Sequence, residues 1–233
     1  MDRADVQGSQ RVERLSGSST SGCPEWHYDA HQDRAAKLPA AEALVISRLR
    51  RGEYDATRIG PDSRPVHRDL FAQLVDPMFA YFAGNYRGTP GYHCLERYEI
   101  GVQQDRRVGY RADGVLGAMA LLGNHMQESI GFLDTLCALS NADFPREDKL
   151  NSIVIVAARY FQEFLTVHPY ADGNGHIGRF LVWLLIGRYG LWPEKWTIEP
   201  RPALAPGAYG AAISAHRDGR PEDLEAMIRS SLR

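Results

Sequence analysis

The sequence predicts a mainly α-helical domain, a helical bundle with one short strand-like excursion. Three observations predict it. Apolar residues recur every three or four positions through most of the chain after Leu38. Pro and Gly punctuate these runs. One run, Phe180-Leu181-Val182-Trp183-Leu184-Leu185-Ile186, is apolar all round, as a helix in the middle of a bundle requires.

Residues 1 to about 35 read as a flexible appendage. Within it, Ser16-Gly17-Ser18-Ser19-Thr20-Ser21-Gly22 carries too little apolar surface to offset its ordering entropy. Residues 36–233 form the domain proper. Pro39 suits a first helical position, and Leu38, Leu44, Val45 and Leu49 follow at roughly helical spacing. Pro65 opens a second helix. Its stripe is Val66, Leu70, Phe71, Leu74 and Met78, with Pro77 bending or ending it. Gly84 to Gly114 differs. It is rich in Gly and Tyr, and Tyr98-Glu99-Ile100-Gly101-Val102 alternates like a strand, which predicts a loop or small hairpin at 88–114. From Val115 the helical pattern returns through Met119, Leu122, Met126, Ile130 and Leu133.

The next helix begins near Pro145, with Glu147 and Asp148 at the positive end of its dipole. It stops before His168-Pro169, because a residue preceding Pro avoids the helical region. Another helix covers about 176–189. Two C-terminal helices close the chain, the second opening at Pro221 with Glu222 and Asp223 in its first turn.

Composition narrows the function classes. The 233 residues suffice for a core without staples, and 44% apolar with 24% charged residues is ordinary globular usage. Lys and Arg number 27 against 29 Asp and Glu, so nothing draws the chain toward nucleic acid or an anionic membrane. No stretch approaches the about eighteen apolar residues of a membrane span. Met1-Asp2-Arg3-Ala4-Asp5 lacks the apolar core of a signal peptide. The expected location is the cytoplasm, or outside the cell as an effector exported by another route. Cys23, Cys94 and Cys137 are odd in number with no C-x-x-C, which fits a reducing cytosol and argues against a disulfide frame or a zinc knuckle.

The informative segment is His168-Pro169-Tyr170-Ala171-Asp172-Gly173-Asn174-Gly175-His176-Ile177-Gly178-Arg179, set between the two most apolar helices. Gly173-Asn174-Gly175 permits positive φ at successive residues, so backbone N–H groups converge into an anion-binding nest at a helix N-terminus. Arg179, one turn on, adds a planar fork of donors. Asp172 is a hard oxygen ligand suited to Mg²⁺ on phosphates. His168 is the one group in the loop placed to act as a general base. Each residue also has a plainer reading, as turn former or helix cap. Gly173, Gly175 and Gly178 match G-x-G-x-x-G, with Glu194 downstream, but no strand runs into the first Gly, so the match is coincidental. A metal site from His168, Asp172 and His176 would need a helical segment, which Pro169, Gly173 and Gly175 oppose.

The segment resembles the signature of Fic-domain proteins, His-x-Phe-x-Asp/Glu-Gly-Asn-Gly-Arg-x-x-Arg. His168, Asp172, Gly173, Asn174, Gly175 and Arg179 stand at matching positions, Tyr170 replaces Phe and His176 replaces the first Arg. Val66-His67-Arg68-Asp69-Leu70-Phe71 and Ala83-Gly84-Asn85-Tyr86-Arg87 are similar to the helix and turn that come earlier in such domains, and the likeness spans about 38 to 233. The resemblance implies a Fic-like helical bundle with a β-hairpin flap over the active site.

It also implies a chemistry, transfer of AMP from ATP to a Ser, Thr or Tyr hydroxyl of a target protein docked on the flap. His168 would be the base and Asp172 the Mg²⁺ ligand. Gly173, Asn174, Gly175, His176 and Arg179 would form the nucleotide side of the site. Gly175 is intact where phosphorylating relatives replace it, which favours nucleotide transfer. Transfer of UMP or phosphocholine stays open, as does a catalytically weak helical nucleotide-binding module. Many relatives inhibit themselves through Ser/Thr-x-x-x-Glu-Gly/Asn. Ser9 with Glu13 and Ser21 with Glu25 have that spacing, but Arg14 and Trp26 follow. A separate, antitoxin-like inhibitor protein is therefore expected, or control by target availability, with Arg179 open to phosphate in the isolated chain.

Overall fold

Two apolar helices, Arg146–Val167 and Asn174–Arg188, lie against each other at the centre of the molecule. The structure is a computed structural model, and it describes residues 12–13, 23–102, 105–198 and 207–232. Among these the helices are α1 (Arg34–Arg50), α2 (Ala56–Ile59), α3 (Arg64–Phe71), α4 (Ala112–Ala138), α5 (Arg146–Val167), α6 (Asn174–Arg188), α7 (Ala208–Arg217) and α8 (Glu222–Ser230). The central pair is α5 and α6. α4 packs on α5, as do α7 and α8, while α1 packs on α3 and α2 touches α6. Every residue of α6 from His176 to Ile186 is buried, as its all-round apolar pattern requires. No described helix is long and apolar enough to cross a membrane.

The α5–α6 contact is close because of a glycine. A Cβ at Gly178 would stand 3.0 Å from the Phe161 ring and 3.3 Å from Leu165. The third glycine of the apparent dinucleotide pattern thus serves helix packing.

Several expectations need correcting. Helix α1 starts at Arg34, ahead of Pro39, and the Asp33 carbonyl accepts from Ala36 and Lys37 N–H to begin it. Its buried face is Leu38, Glu42, Val45 and Leu49, whereas Leu44 is exposed. Helix α3 ends at Phe71, and Pro77 opens a separate 3₁₀ stretch, Pro77–Phe82. Met78 therefore leaves the stripe and is 77% exposed. The appendage boundary also moves. Trp26 and Tyr28 are buried, and Trp26 Nε1–H donates to Leu74 O at 3.1 Å, so residues 23–35 belong to the domain. Ser9 and the stretch Ser16–Gly22 lie outside the described residues.

No hairpin forms within 88–114 among the described residues. The strand-like run yields β2 (Gly101–Val102), and its antiparallel partner is β1 (Val12–Glu13). The second half of the excursion pairs elsewhere. Gly109 N–H donates to Thr166 O at 2.9 Å and Tyr110 N–H to Val167 O at 3.1 Å, at the end of α5. Side chains at 95, 98 and 100 are buried, so alternation here reflects a packed loop.

The cysteines are corrected too. Cys23 and Cys94 form a disulfide, and Cys137 is the free thiol. An odd count excludes a complete frame but leaves room for one bridge. The cysteine count therefore no longer argues for a reducing compartment. The bridge spans 71 residues of sequence, which stabilises by about 4 kcal/mol in the chain-entropy account.

Gly178→Val should overpack the α5–α6 contact and lower unfolding stability by about 1–3 kcal/mol, read as a lower urea midpoint at unchanged slope. A midpoint equal to that of the parent would mean that the helices are not held at this distance by Gly178.

Candidate active site

The loop between α5 and α6 is built around one buried cation. Arg87 is fully buried, and its guanidinium donates only to backbone carbonyls. Nε reaches His168 O at 3.0 Å, Nη1 reaches Tyr98 O at 2.9 Å, and Nη2 reaches His168 O at 2.8 Å and Tyr110 O at 2.9 Å. Its backbone N–H donates to Pro169 O at 2.8 Å. Burial pushes Arg87 down to about 10, with Glu99 opposing, so it stays cationic at neutrality. The carbonyl end of α5 supplies the compensating negative potential.

His168 is the C-cap of α5 and the one non-glycine residue with positive φ among the described residues (φ 54°, ψ 61°). That conformation costs roughly 1–2 kcal/mol for a non-glycine residue, and Arg87 holds it by binding the His168 carbonyl twice. The half-buried imidazole is oriented by Nδ1, 3.2 Å from Leu165 O. A carbonyl accepts, so the proton sits on Nδ1 and Nε2 carries the lone pair. Desolvation pushes the ring down to about 4, the Leu165 hydrogen bond opposing and Arg87 and Arg217 adding to the fall. His168 is therefore neutral at pH 7 with a defined tautomer, as a general base needs.

Asn174 closes the loop on itself. Its Oδ1 accepts from Tyr170 N–H at 2.8 Å and its Nδ2 donates to Tyr170 O at 2.8 Å. The Asn174 side chain is thus spent on the backbone, and only its N–H remains for a ligand. Tyr170 is fully buried as the plug. It shares a 2.9 Å hydrogen bond with Ser63 Oγ and stacks on His67 with ring centroids 3.7 Å apart. His67 Nδ1 accepts from Gly84 N–H at 2.9 Å, so Nε2 carries the proton and donates to Asp172 O at 3.0 Å. Burial pushes His67 down to about 3.

Gly173 must be glycine. Its φ is 77°, and a Cβ there would stand 2.4 Å from the Phe71 ring. Asp172 Oδ1 accepts from Gly173 N–H at 2.7 Å, and Oδ2 accepts from Tyr28 N–H at 3.3 Å. The carboxylate keeps further lone pairs and is 25% exposed. Burial pushes it up to about 6, against the pull of Gly173 N–H, His27 and Tyr28 N–H. The first intrahelical bonds of α6 run from His176 and Ile177 N–H to Gly173 O, which leaves the Asn174 and Gly175 N–H groups ahead of the ladder.

Two nucleotide-side expectations change. His176 is 2% exposed and faces inward, edge-on to Tyr28 and Phe71, with Nε2 3.7 Å from Glu42 Oε1. The structure places its ring in the interior, where it packs on those two rings. Arg179 is also 2% exposed. Its Nε donates to Ile198 O at 2.5 Å, and Nη1 lies 3.5 Å from Tyr209 Oη. It is engaged within the chain, not open in the loop. It still lies under Gly175, since Nη1 would be 3.1 Å from a Cβ at that position.

Sequence reasoning missed the residues that come from outside the loop. His67 and Arg87 had a signal only through the resemblance, and the Tyr28 N–H contact had none. Fold and loop together define a helical domain whose central helices are joined by a glycine-lined turn carrying a neutral imidazole and a carboxylate. A sequence model of the Fic/DOC family matches residues 64–186, which includes Arg87 and the whole 168–179 segment. The chain belongs to the Fic/DOC family, and at the family level it is a Fic-type transferase. No curated protein matches the chain closely enough to add to this.

The unfolded chain takes a proton on His67 near pH 6.5 and the folded one only near 3, so His67 contributes stability that is lost as pH falls below 6.5. Asp172, raised to about 6, acts in the opposite sense over the same range. The readable quantity is a difference. Between pH 7 and 5 the parent should lose about 2 kcal/mol more than His67→Gln, measured by urea unfolding at both pH values. Parallel pH dependences would show that His67 is not held neutral.

Proposed function

We propose that the protein is an adenylyltransferase, moving AMP from ATP to a Ser, Thr or Tyr hydroxyl of a target protein. The observation that carries this reading is His168, held neutral with its Nε2 lone pair unspent beside the start of α6. A pure anion-binding module has no use for that arrangement. The UMP and phosphocholine alternatives share the same machinery and differ only in the head group.

His168 Nε2 takes the proton from the incoming hydroxyl as its oxygen attacks the α-phosphorus. The new P–O bond forms as the bond to the leaving pyrophosphate breaks. The Asn174 and Gly175 N–H groups lie where a helix start binds phosphate oxygens. Gly175 has no side chain to stand between a ligand and Arg179, whose fixed charge lies beneath it. Asp172 fits a divalent cation, because it is partly exposed and has lone pairs left after its two N–H bonds. Mg²⁺ bound there would neutralise phosphate charge in the transition state. Such catalysis is positioning plus charge stabilisation. The target protein would dock beside the 88–114 excursion, and a separate inhibitor protein would be one means of control.

The test is intact mass after incubation with ATP and Mg²⁺, with UTP and CDP-choline as parallel arms. Gain of one AMP from ATP is expected, and modification only in another arm would replace the donor. His168→Ala should cost on the order of 10²–10⁴ in rate with nucleotide binding retained. Full activity in that variant would remove the assigned base. Excess chelator should stop transfer, and transfer at full rate in its presence would remove the metal.

A further inference from the structure

Asp172 is held from two sides, and only one belongs to its own loop. Oδ1 takes the Gly173 N–H. Oδ2 faces residues 23–30, taking the Tyr28 N–H at 3.3 Å with His27 Nδ1 3.8 Å away. Those residues come from 144 positions upstream and have only a single 3₁₀ turn, Tyr28–Ala30, of regular structure. Something else must keep them against the carboxylate.

Three anchors do so. Trp26 hydrogen-bonds Leu74 O. The Tyr28 ring packs on Phe71 and His176, with centroids 5.1 Å from each, so it shares the floor beneath Gly173. The third anchor is covalent, the Cys23–Cys94 bond. Cys94 sits in the excursion whose Tyr98 and Tyr110 carbonyls bind Arg87, the residue that fixes His168. One cross-link therefore joins the segment touching Asp172 to the segment that frames His168.

We propose that residues 23–30 are a working part of the active site. The Tyr28 N–H and His27 are positioning groups that fix the Asp172 carboxylate, and the Cys23–Cys94 bond keeps them there. This rests on the reading of Asp172 as the residue that holds a divalent cation with the nucleotide. Reduction breaks the S–S bond and leaves two thiols. The two electrons and two protons come from a dithiol, which ends as its own disulfide. The segment then keeps only its non-covalent anchors, and the carboxylate regains rotamer freedom. The consequence is a cation site whose strength follows the redox state of a bond outside the loop.

The experiment uses the full chain with α,β-methylene-ATP, which removes turnover, and Mn²⁺ as the probe, its affinity read by electron paramagnetic resonance. Oxidised protein, protein reduced with a dithiol and desalted, Cys94→Ser, His27→Ala and Asp172→Asn are compared. Thiol counting verifies the redox states. Groups that orient a metal ligand typically contribute about 10–100-fold in affinity. Reduction and Cys94→Ser should each weaken Mn²⁺ binding about tenfold or more, by that rule, with binding of the metal-free nucleotide unchanged. His27→Ala should give a smaller loss, and His27→Gln should restore part of it. Should Cys94→Ser fail to fold, reduced parent protein carries the same comparison. Equal affinity in oxidised and reduced protein, with Asp172→Asn still weakening it, would overturn this proposal and leave the metal reading intact. No effect of Asp172→Asn would instead overturn the metal reading. Tighter binding on reduction would make the segment a cover over Asp172 and also overturn the proposal.

Discussion

A buried guanidinium with no carboxylate bonded to it sets the terms for everything around it. Arg87 must be surrounded by acceptors or it could not remain charged in the interior. Its hydrogen bonds draw the carbonyls of Tyr98, Tyr110 and His168 to one point. Two structural outcomes follow. His168 has to turn into the left-handed region for its carbonyl to reach the cation, which ends α5 and aims the imidazole. The two limbs of the 88–114 excursion meet at the cation through the Tyr98 and Tyr110 carbonyls, so those two groups are not free to pair in a hairpin. An Ala at 87 would remove the Arg87 donors from the carbonyls of Tyr98, Tyr110 and His168 together, which is why a single cation so far from the loop governs its shape.

The glycines of the loop show the same economy of cause. Gly173 turns the chain through positive φ and lets Phe71 approach. Gly175 leaves the start of α6 without a side chain above Arg179. Gly178 lets Phe161 approach α6. A pattern that reads as one motif is three separate steric requirements. Asn174 likewise spends its amide on Tyr170, so the loop's shape is fixed by its own backbone before any ligand arrives. Preorganisation of that kind is what electrostatic catalysis demands.

Much of this is legible in the sequence where cause and residue are close together. The periods of α4, α5 and α6, the stop before Pro169 and the contiguous loop are all local facts. The excursion misleads because alternation marks any segment with one face buried, and Leu95, Tyr98 and Ile100 are buried in a loop. The disulfide escapes because parity counts cysteines but not distances. The inward direction of His176 and Arg179 escapes because the all-round apolar run begins only at Phe180, after both residues. The positioning groups from His67, Arg87 and Tyr28 are long-range, and spacing along the chain carries no trace of them.

What unites the site is that burial, not countercharge, sets its protonation, while backbone partners fix its tautomers and orientations. His67 and His168 are each assigned a tautomer by a backbone partner, and burial keeps both rings neutral. Asp172 is tuned upward by burial and pulled back by two backbone N–H groups and His27. A cluster of formal charges could hold the same groups, but it would respond to salt and to the arrival of a polyphosphate. Backbone dipoles fixed by α5, α6 and Arg87 do not relax in that way. The loop can therefore meet a highly charged ligand without rearranging, held from distant sequence by Arg87, by His67 and by the segment that reaches Asp172 from the other end of the chain.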